Sequence, residues 1–233
     1  MENTLSALLY RNRQFFHPVM TLDPSTEYLC AMDFTSANSS LTPEVINSTE
    51  RFSSYVSDFI REKGGRYGIG GYNELRTVYD RSKLFGLKVN EEPRRLHLGV
   101  DIWGEVGDPV FAFMGGMVHS MAFNDNYGDY GATLILTHQL EGIPFYTLYG
   151  HISLRDIATI HPGQYITRGE KMAHLGPPAE NGQWPPHLHL QVIADLGLHE
   201  GDYPGVCRWS EREKYLDNCP DPDLILNWNR YIK

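Results

Sequence analysis

The spacing of hydrophobic residues along the chain predicts helices in the first part and strands in the second. Thr42 followed by Pro43 is typical of a helix start, with threonine as the N-cap and proline in the first turn. Apolar residues then recur at helical spacing as far as Gly64, and glycine commonly ends a helix. These residues are Phe52, Tyr55, Val56, Phe59 and Ile60. The pattern predicts a helix with one buried face over residues 42–64.

From Leu96 onward, apolar and polar residues alternate, which is typical of β-strands with one buried face. Residues 96–102, 110–113 and 187–192 are predicted strands, and residues 132–138 and 145–151 form a predicted hairpin around Glu141-Gly142. We therefore expect a mainly β fold with a helical N-terminal region, α+β overall, whose core is an antiparallel β-sheet.

Histidines lie on the polar face of two of these strands. Residues two apart on a strand point to the same side, so His97 shares a face with Asp101, and His187 shares one with His189. Two imidazoles and one carboxylate are a common ligand set for a catalytic zinc ion with an open position for water. Each motif alone would occur by chance, but their order along alternating strands favours a metal site.

Four motifs together resemble the lysostaphin-type zinc metallopeptidases, a family of peptidoglycan endopeptidases. They are HLGVD at residues 97–101, GDPV at 107–110, YGH at 149–151 and HLH at 187–189, within a resemblance that covers about residues 94–193. By position, the resemblance implies that His97, Asp101 and His189 bind one zinc ion per chain. It implies that His151 and His187 are the unligated catalytic histidines, in a barrel-like β core with a groove across it.

The activity that the resemblance implies is hydrolysis of a peptide bond by metal-activated water, in peptidoglycan or a related small peptide. Zinc lowers the pKa of its bound water to about 7, so hydroxide forms near neutral pH. The sequence contains no HExxH motif to supply an acidic base. His151 and His187 are therefore expected to accept the proton of the water and to stabilise the oxyanion, and the sequence leaves open which histidine does which.

We expect three parts: a helical or irregular extension over residues 1–90, the peptidase core over residues 91–200, and a C-terminal extension over residues 201–233 packed on the core. Two segments could shape the groove. In 70–76, the resemblance makes Asn73 a candidate to occupy the open zinc position, and a surface turn with Arg76 in a salt bridge is the alternative. In 177–186, Trp184 is expected to make the groove wall bulkier, or else to pack only within its own domain.

The charge and the apolar content of the sequence limit the classes of partner to be expected. The formal net charge is −9, and no basic cluster is long enough to follow a nucleic acid backbone, so we expect no nucleic acid partner. No apolar stretch approaches the roughly 20 residues of a membrane span. No signal peptide is recognisable, so the expected location is cytoplasmic if the chain is complete and periplasmic or extracellular otherwise. The oligomeric state stays open.

Two other functions are compatible with parts of the pattern. A relative of the peptidases that binds metal or peptide without cleaving it would keep the fold, although the five site residues are all present. Sugar-permease phosphocarriers also combine a β core with paired histidines, but phosphate transfer needs no carboxylate ligand. Asp101 and a third histidine therefore favour zinc.

Overall fold

The structure is a computed structural model that describes residues 4–86 and 91–233. The α-helices in these residues are α1 (Thr4–Asn12), α2 (Pro43–Ile46), α3 (Thr49–Lys63), α4 (Leu154–Ile157), α5 (Arg212–Asn218) and α6 (Asp223–Leu226). The strands are β1 (Leu29–Ala31), β2 (Tyr67–Gly70), β3 (Leu96–His97), β4 (Val100–Trp103), β5 (Pro109–Phe111), β6 (Gly116–Asn124), β7 (Gly131–Leu140), β8 (Ile143–Ile152), β9 (Tyr165–Ile166), β10 (Lys171–His174), β11 (His187–Ile193) and β12 (Val206–Cys207).

One large sheet dominates the fold. Its strand order is β1-β2-β4-β11-β8-β7-β6-β9, and two small sheets pair β5 with β10 and β3 with β12. All neighbours in the large sheet are antiparallel except β1 and β2, which are parallel. The mainly β, α+β fold is thus confirmed. The large sheet is mixed, and within the described residues it stays open, so the barrel-like closure implied by the resemblance is not found.

The N-terminal region contains helices, as predicted, and also supplies β1 and β2 to the large sheet. The single helix predicted over residues 42–64 is wrong in one respect, because the chain forms α2 and α3 instead. Ser48 leaves the helical conformation at φ −105° and accepts a hydrogen bond from the backbone N–H of Arg51, so it is the N-cap of α3. Gly64 ends α3 in the left-handed conformation, as expected.

The predicted hairpin is present as β7 and β8. Glu141 and Gly142 have φ of 50° and 84°, and positive values at both positions define the type I′ turn that matches the twist of paired strands. The strand predicted over residues 96–102 is interrupted, since β3 pairs with β12 whereas β4 joins the large sheet. The strand predicted over residues 110–113 is observed as β5 and ends at Phe111.

The hydrophobic core joins the predicted parts of the chain. Its main cluster includes Leu9 of α1, Leu134 of β7, Leu190 of β11 and Trp228 near the C-terminus. A second cluster packs aromatic residues of the N-terminal region against the large sheet. The boundary expected after residue 90 adjoins residues 87–90, which lie outside the described residues. No helix in the described ranges is long and apolar enough to cross a bilayer.

Candidate metal centre and catalytic histidines

Strand register brings the predicted ligands together. His189 on β11 lies directly opposite Asp101 on β4, and directly opposite Gly150 on its other neighbour, β8. Residues opposite each other on antiparallel strands have side chains on the same face. Gly99 separates β3 from β4, and a Cβ there would lie 2.6 Å from the His189 ring. The glycine therefore gives the His189 ring the space to meet His97.

The ligand atoms of His97, Asp101 and His189 converge at one buried point. His97 Nε2 lies 2.9 Å from His189 Nδ1 and 3.3 Å from Asp101 Oδ1, and His189 Nδ1 lies 3.0 Å from the same oxygen. All three residues are buried. They are the cluster of metal-ligating side chains in the described part of the chain, and they are the three residues predicted from the sequence.

The far nitrogen of each imidazole faces a hydrogen-bond acceptor, on the side away from this point. His97 Nδ1 lies 2.9 Å from the carbonyl oxygen of Gly71, and His189 Nε2 lies 2.9 Å from Gln191 Oε1. Gln191 Nε2 donates to the carbonyl of Pro204 at 3.1 Å, which leaves Oε1 as the acceptor. A neutral imidazole has one N–H, and a ring that donates it to the far acceptor directs its lone pair towards Asp101.

This donor set fits a divalent cation. Three electron-rich atoms with no hydrogen between them repel one another, and a cation among them removes that repulsion. Ligating histidines in proteins usually donate their other N–H to a carbonyl or similar acceptor, as both rings do here. Tetrahedral zinc sites with nitrogen and oxygen ligands use this combination of residues. The residues present therefore fit zinc.

The electrostatics favour the form of the ligands that binds a metal. Burial, with Arg76 nearby, lowers the pKa of His97 to about 4. Burial alone would raise the pKa of Asp101, but the facing His97 and the guanidinium of Arg76 outweigh it and hold that pKa well below its usual value. Metal binding requires a neutral imidazole and an ionised carboxylate, and these shifts supply both.

His151 and His187 lie beside the ligand cluster. Their ring centroids are 4.1 Å apart, and His187 Nε2 is 3.9 Å from Asp101 Oδ1. Each Nδ1 faces a backbone carbonyl, that of Asn181 at 2.9 Å for His151 and that of Pro185 at 2.7 Å for His187. The Nε2 atom of each ring is therefore free to accept a proton.

Both of these rings are neutral near pH 7. Burial lowers the pKa of His187 to about 4. Burial, together with the neighbouring His187, lowers the pKa of His151 well below its usual value. Two neutral imidazoles with free Nε2 atoms are suited to act as general base and as hydrogen-bonding groups at one reaction centre.

The backbone at His151 is unusual. Its φ is 65°, a value that residues other than glycine seldom adopt. Tyr149 pairs with Leu134 but Ile152 pairs with Ala132, so β8 has one extra residue here and forms a β-bulge. Bulges are common beside active sites because they redirect a side chain. The bulge includes His151, whose ring packs against that of His187.

A cavity of about 290 Å³ gives access to this cluster. Its lining includes the five predicted site residues and Trp184, whose ring packs against Phe52 and Tyr79 with centroids 6.3 and 6.0 Å away. Trp184 therefore forms part of the cavity wall and also joins α3 to the loop before β11. The wall is aromatic and bulky, as the sequence suggested for this loop.

Segment 70–76 reaches the site through Arg76 rather than through Asn73. Asn73 is exposed, and its backbone N–H donates to the carbonyl of His97 at 3.0 Å. Arg76 does form salt bridges, as the alternative held, but it is buried and bonds to Asp101 instead of lying in a surface turn. Sequence reasoning missed this contact and the contact of Gln191 with His189. Gln191 could have been found, because it lies two residues after His189 on the same strand face.

Comparison with known proteins agrees with this geometry. Residues 95–199 match the profile of Peptidase family M23. The L-Ala–D-Glu endopeptidase of Bacillus subtilis (strain 168) is 29% identical over 147 residues, which are 60% of this chain and 43% of the relative. The chain thus spans less than half the length of that relative.

Two solved structures are also similar to parts of the chain. A zinc containing peptidase from Vibrio cholerae is 28% identical, with a TM-score of 0.34 over 42% of this chain and 27% of that one. The catalytic domain of lysostaphin from Staphylococcus simulans is 17% identical, with a TM-score of 0.39 over 70% of this chain and 96% of that one. The resemblance seen in the sequence is confirmed by the family match, in which residues 95–199 of this chain match Peptidase family M23.

Proposed function

We propose that this chain is a zinc-dependent metallopeptidase that hydrolyses an amide bond with one zinc ion held by His97, Asp101 and His189. The observation that carries the proposal is the convergence of three ligand atoms, with an acceptor facing the far nitrogen of each imidazole. The family match of residues 95–199 supports a hydrolase independently of this geometry.

Bound zinc supplies a Lewis acid and lowers the pKa of its water to about 7. His151 and His187 do the proton chemistry of the chain itself. Because each Nδ1–H is held by a backbone carbonyl, a proton taken from the water goes to Nε2 of one ring. The protonated ring can donate that hydrogen to the oxyanion and then return the proton to the leaving amine, while the other ring stays neutral. The two roles stay interchangeable on this geometry.

The proposed substrate is a peptide of peptidoglycan or a related small peptide. The similarity to an L-Ala–D-Glu endopeptidase supports a bond of this class. The bulky wall formed by Trp184, Phe52 and Tyr79 supports a substrate different from a polyglycine chain, which has no side chains to contact it.

Two substitutions separate binding from catalysis. Asp101→Ala is expected to lose zinc because it removes a ligand, and His151→Ala is expected to keep zinc while kcat falls by about 10²–10⁴-fold, the usual contribution of a general acid or base. Zinc content is measured by elemental analysis, and cleavage of peptidoglycan digests, L-Ala–D-Glu peptides and oligoglycine by mass spectrometry. His161→Ala, which removes an exposed histidine outside the cavity lining, is the control.

The outcomes distinguish the competing functions. Full activity of His151→Ala would refute its catalytic role. A wild-type protein that binds zinc but cleaves none of these substrates would favour the non-catalytic relative. A wild-type protein that binds no zinc would refute the metallopeptidase proposal.

A further inference from the structure

Arg76 is a buried arginine in contact with a proposed zinc ligand. Its side chain is 3% exposed, and Nη1 donates to Asp101 Oδ2 at 2.5 Å while Nε donates to Glu74 Oε2 at 2.5 Å. The guanidinium carbon also lies 5.2 Å from the centre of the Phe34 ring and 5.5 Å from that of Trp103. A charge buried this deeply needs such partners, because removing it from water is costly.

The two oxygens of Asp101 have different surroundings. Oδ1 faces His97 and His189, at the point where the ligand atoms converge. Oδ2 is held by Arg76. Without that bond, a carboxylate can rotate to offer both oxygens to a metal, and a second oxygen would take up the position needed by water. With it, only Oδ1 is available.

We propose that Arg76 is a positioning residue that restricts Asp101 to binding zinc through one oxygen and so keeps a coordination position open for water. This inference rests on the proposed function. Arg76 lines the same cavity as the histidines, but its side-chain hydrogen bonds go to Glu74, Tyr79 and Asp101. It therefore acts on the proposed metal centre through Asp101.

The backbone near Arg76 also holds His97, the other proposed ligand from this part of the chain. The carbonyl of Gly71 faces His97 Nδ1, Asn73 N–H donates to the His97 carbonyl at 3.0 Å, and His97 N–H donates to the Glu74 carbonyl at 2.9 Å. Residues 71–76 therefore lie alongside His97, and this arrangement places Arg76 next to Asp101. The segment contacts the far sides of two proposed ligands, His97 and Asp101, and does not occupy the open zinc position.

Cobalt substitution tests the inference without relying on turnover. Four-coordinate Co²⁺ absorbs visible light much more strongly than five- or six-coordinate Co²⁺, so its bands report whether Asp101 binds through one oxygen. We expect intense bands for the wild type and weaker bands for Arg76→Ala. With zinc, kcat of Arg76→Ala is expected to fall by about 10–100-fold, as is usual when a partner of a metal ligand is removed.

Two further variants make the test specific. Arg76→Lys keeps the charge but lacks the planar pair of donors, so an intermediate spectrum is expected, and it decides the question if Arg76→Ala does not fold. Arg81→Ala is the matched control. Arg81 is also a buried arginine near Trp184, but it donates to the Tyr127 hydroxyl and to no proposed ligand.

The results separate this inference from the proposed function. Wild-type bands and wild-type kcat in both Arg76 variants would overturn the positioning role while leaving the peptidase proposal intact. The same loss in Arg81→Ala as in Arg76→Ala would also overturn it, because the effect would then come from packing of the wall. A wild-type protein that binds neither cobalt nor zinc would overturn both.

Discussion

Each histidine at the centre is oriented by the acceptor on its far nitrogen. Three of the four rings face a backbone carbonyl, whereas His189 faces a side chain, that of Gln191. A backbone carbonyl stays in place when the side chain of its residue is changed. Gln191 is therefore the position at which the importance of ring orientation can be measured by substitution.

Gln191→Leu is expected to weaken zinc binding by about 10–100-fold, because it removes the acceptor that holds the His189 lone pair towards the metal. Zinc affinity is measured by competition with a chromophoric chelator. Gln191→Glu keeps an acceptor at the same position and is the control, with binding closer to the wild type. Equal zinc affinity in the wild type and the leucine variant would contradict the prediction.

Burial of His138 is expected to lower the free energy of unfolding in acid. It is buried, with Nδ1 3.0 Å from the Gly115 carbonyl and Nε2 2.7 Å from the Thr147 hydroxyl, and burial lowers its pKa to about 4. The unfolded chain binds this proton near pH 6.5, so between pH 6.5 and 4 the unfolded state holds more protons. Stability contributed by neutral His138 is thus fully present above pH 6.5 and is lost as the pH falls, by up to about 1.4 kcal/mol per pH unit.

The comparison that isolates this effect is urea unfolding of the wild type and His138→Gln between pH 7 and pH 4.5, with EDTA present throughout. The free energy of unfolding should depend less steeply on pH in the variant. Parallel pH dependences would show that His138 does not titrate in this range. EDTA keeps metal binding from contributing to the difference.

Among the secondary-structure elements, the interruption between α2 and α3 shows the effect of one capping residue. No proline or glycine lies between Pro43 and Gly64, so the sequence pattern alone predicts one helix there. Ser48 ends that continuity, because its side chain accepts the N–H of Arg51 and satisfies a donor that a new helix start leaves free.

Ser48→Ala is expected to lower the free energy of unfolding by about 1 kcal/mol through loss of this cap. Ser57→Ala, at an exposed position inside the same helix, is the control and should be neutral or slightly stabilising, since alanine has the higher helix propensity. Urea unfolding of both variants gives the comparison. A Ser48→Ala protein as stable as the control would mean that the cap contributes nothing.

For the molecule as a whole, the N-terminal region completes the sheet and contributes to the proposed metal centre. It provides β1 and β2, which cover the edge of β4, and the carbonyl of Gly71, which orients His97. It also provides Phe34 and Phe52 to the cavity wall. The extension is therefore expected to be required by the peptidase core.

A fragment of residues 91–233 tests that expectation. It would expose the edge of β4 and leave Asp101 without Arg76, so we expect it to aggregate or to bind zinc at least 10-fold more weakly than the full chain. Size-exclusion chromatography and elemental analysis of both proteins provide the measurement. A monomeric fragment with the zinc affinity of the full chain would show that the core is independent.

The alternation of apolar and polar residues was enough to place His97 with Asp101 and His187 with His189, because the direction of a side chain on a strand is a local property with a period of two. The motifs then indicated a resemblance to the family that residues 95–199 match, and the hairpin followed from Glu141-Gly142. Helical spacing likewise located the helical region over residues 42–64, although not its division at Ser48.

The sheet register, the bulge that accompanies the position of His151, and the contact of Arg76 with Asp101 did not follow from local pattern. They depend on which strands become neighbours and on a segment that pairs with His97 from 26 residues earlier in the chain. Such pairings are decided by the packing of the complete core, in which residues far apart in sequence satisfy one another's hydrogen bonds and charges. The spacing of residues along the chain does not specify these partners. Only the folded structure brings the parts of the proposed metal centre together.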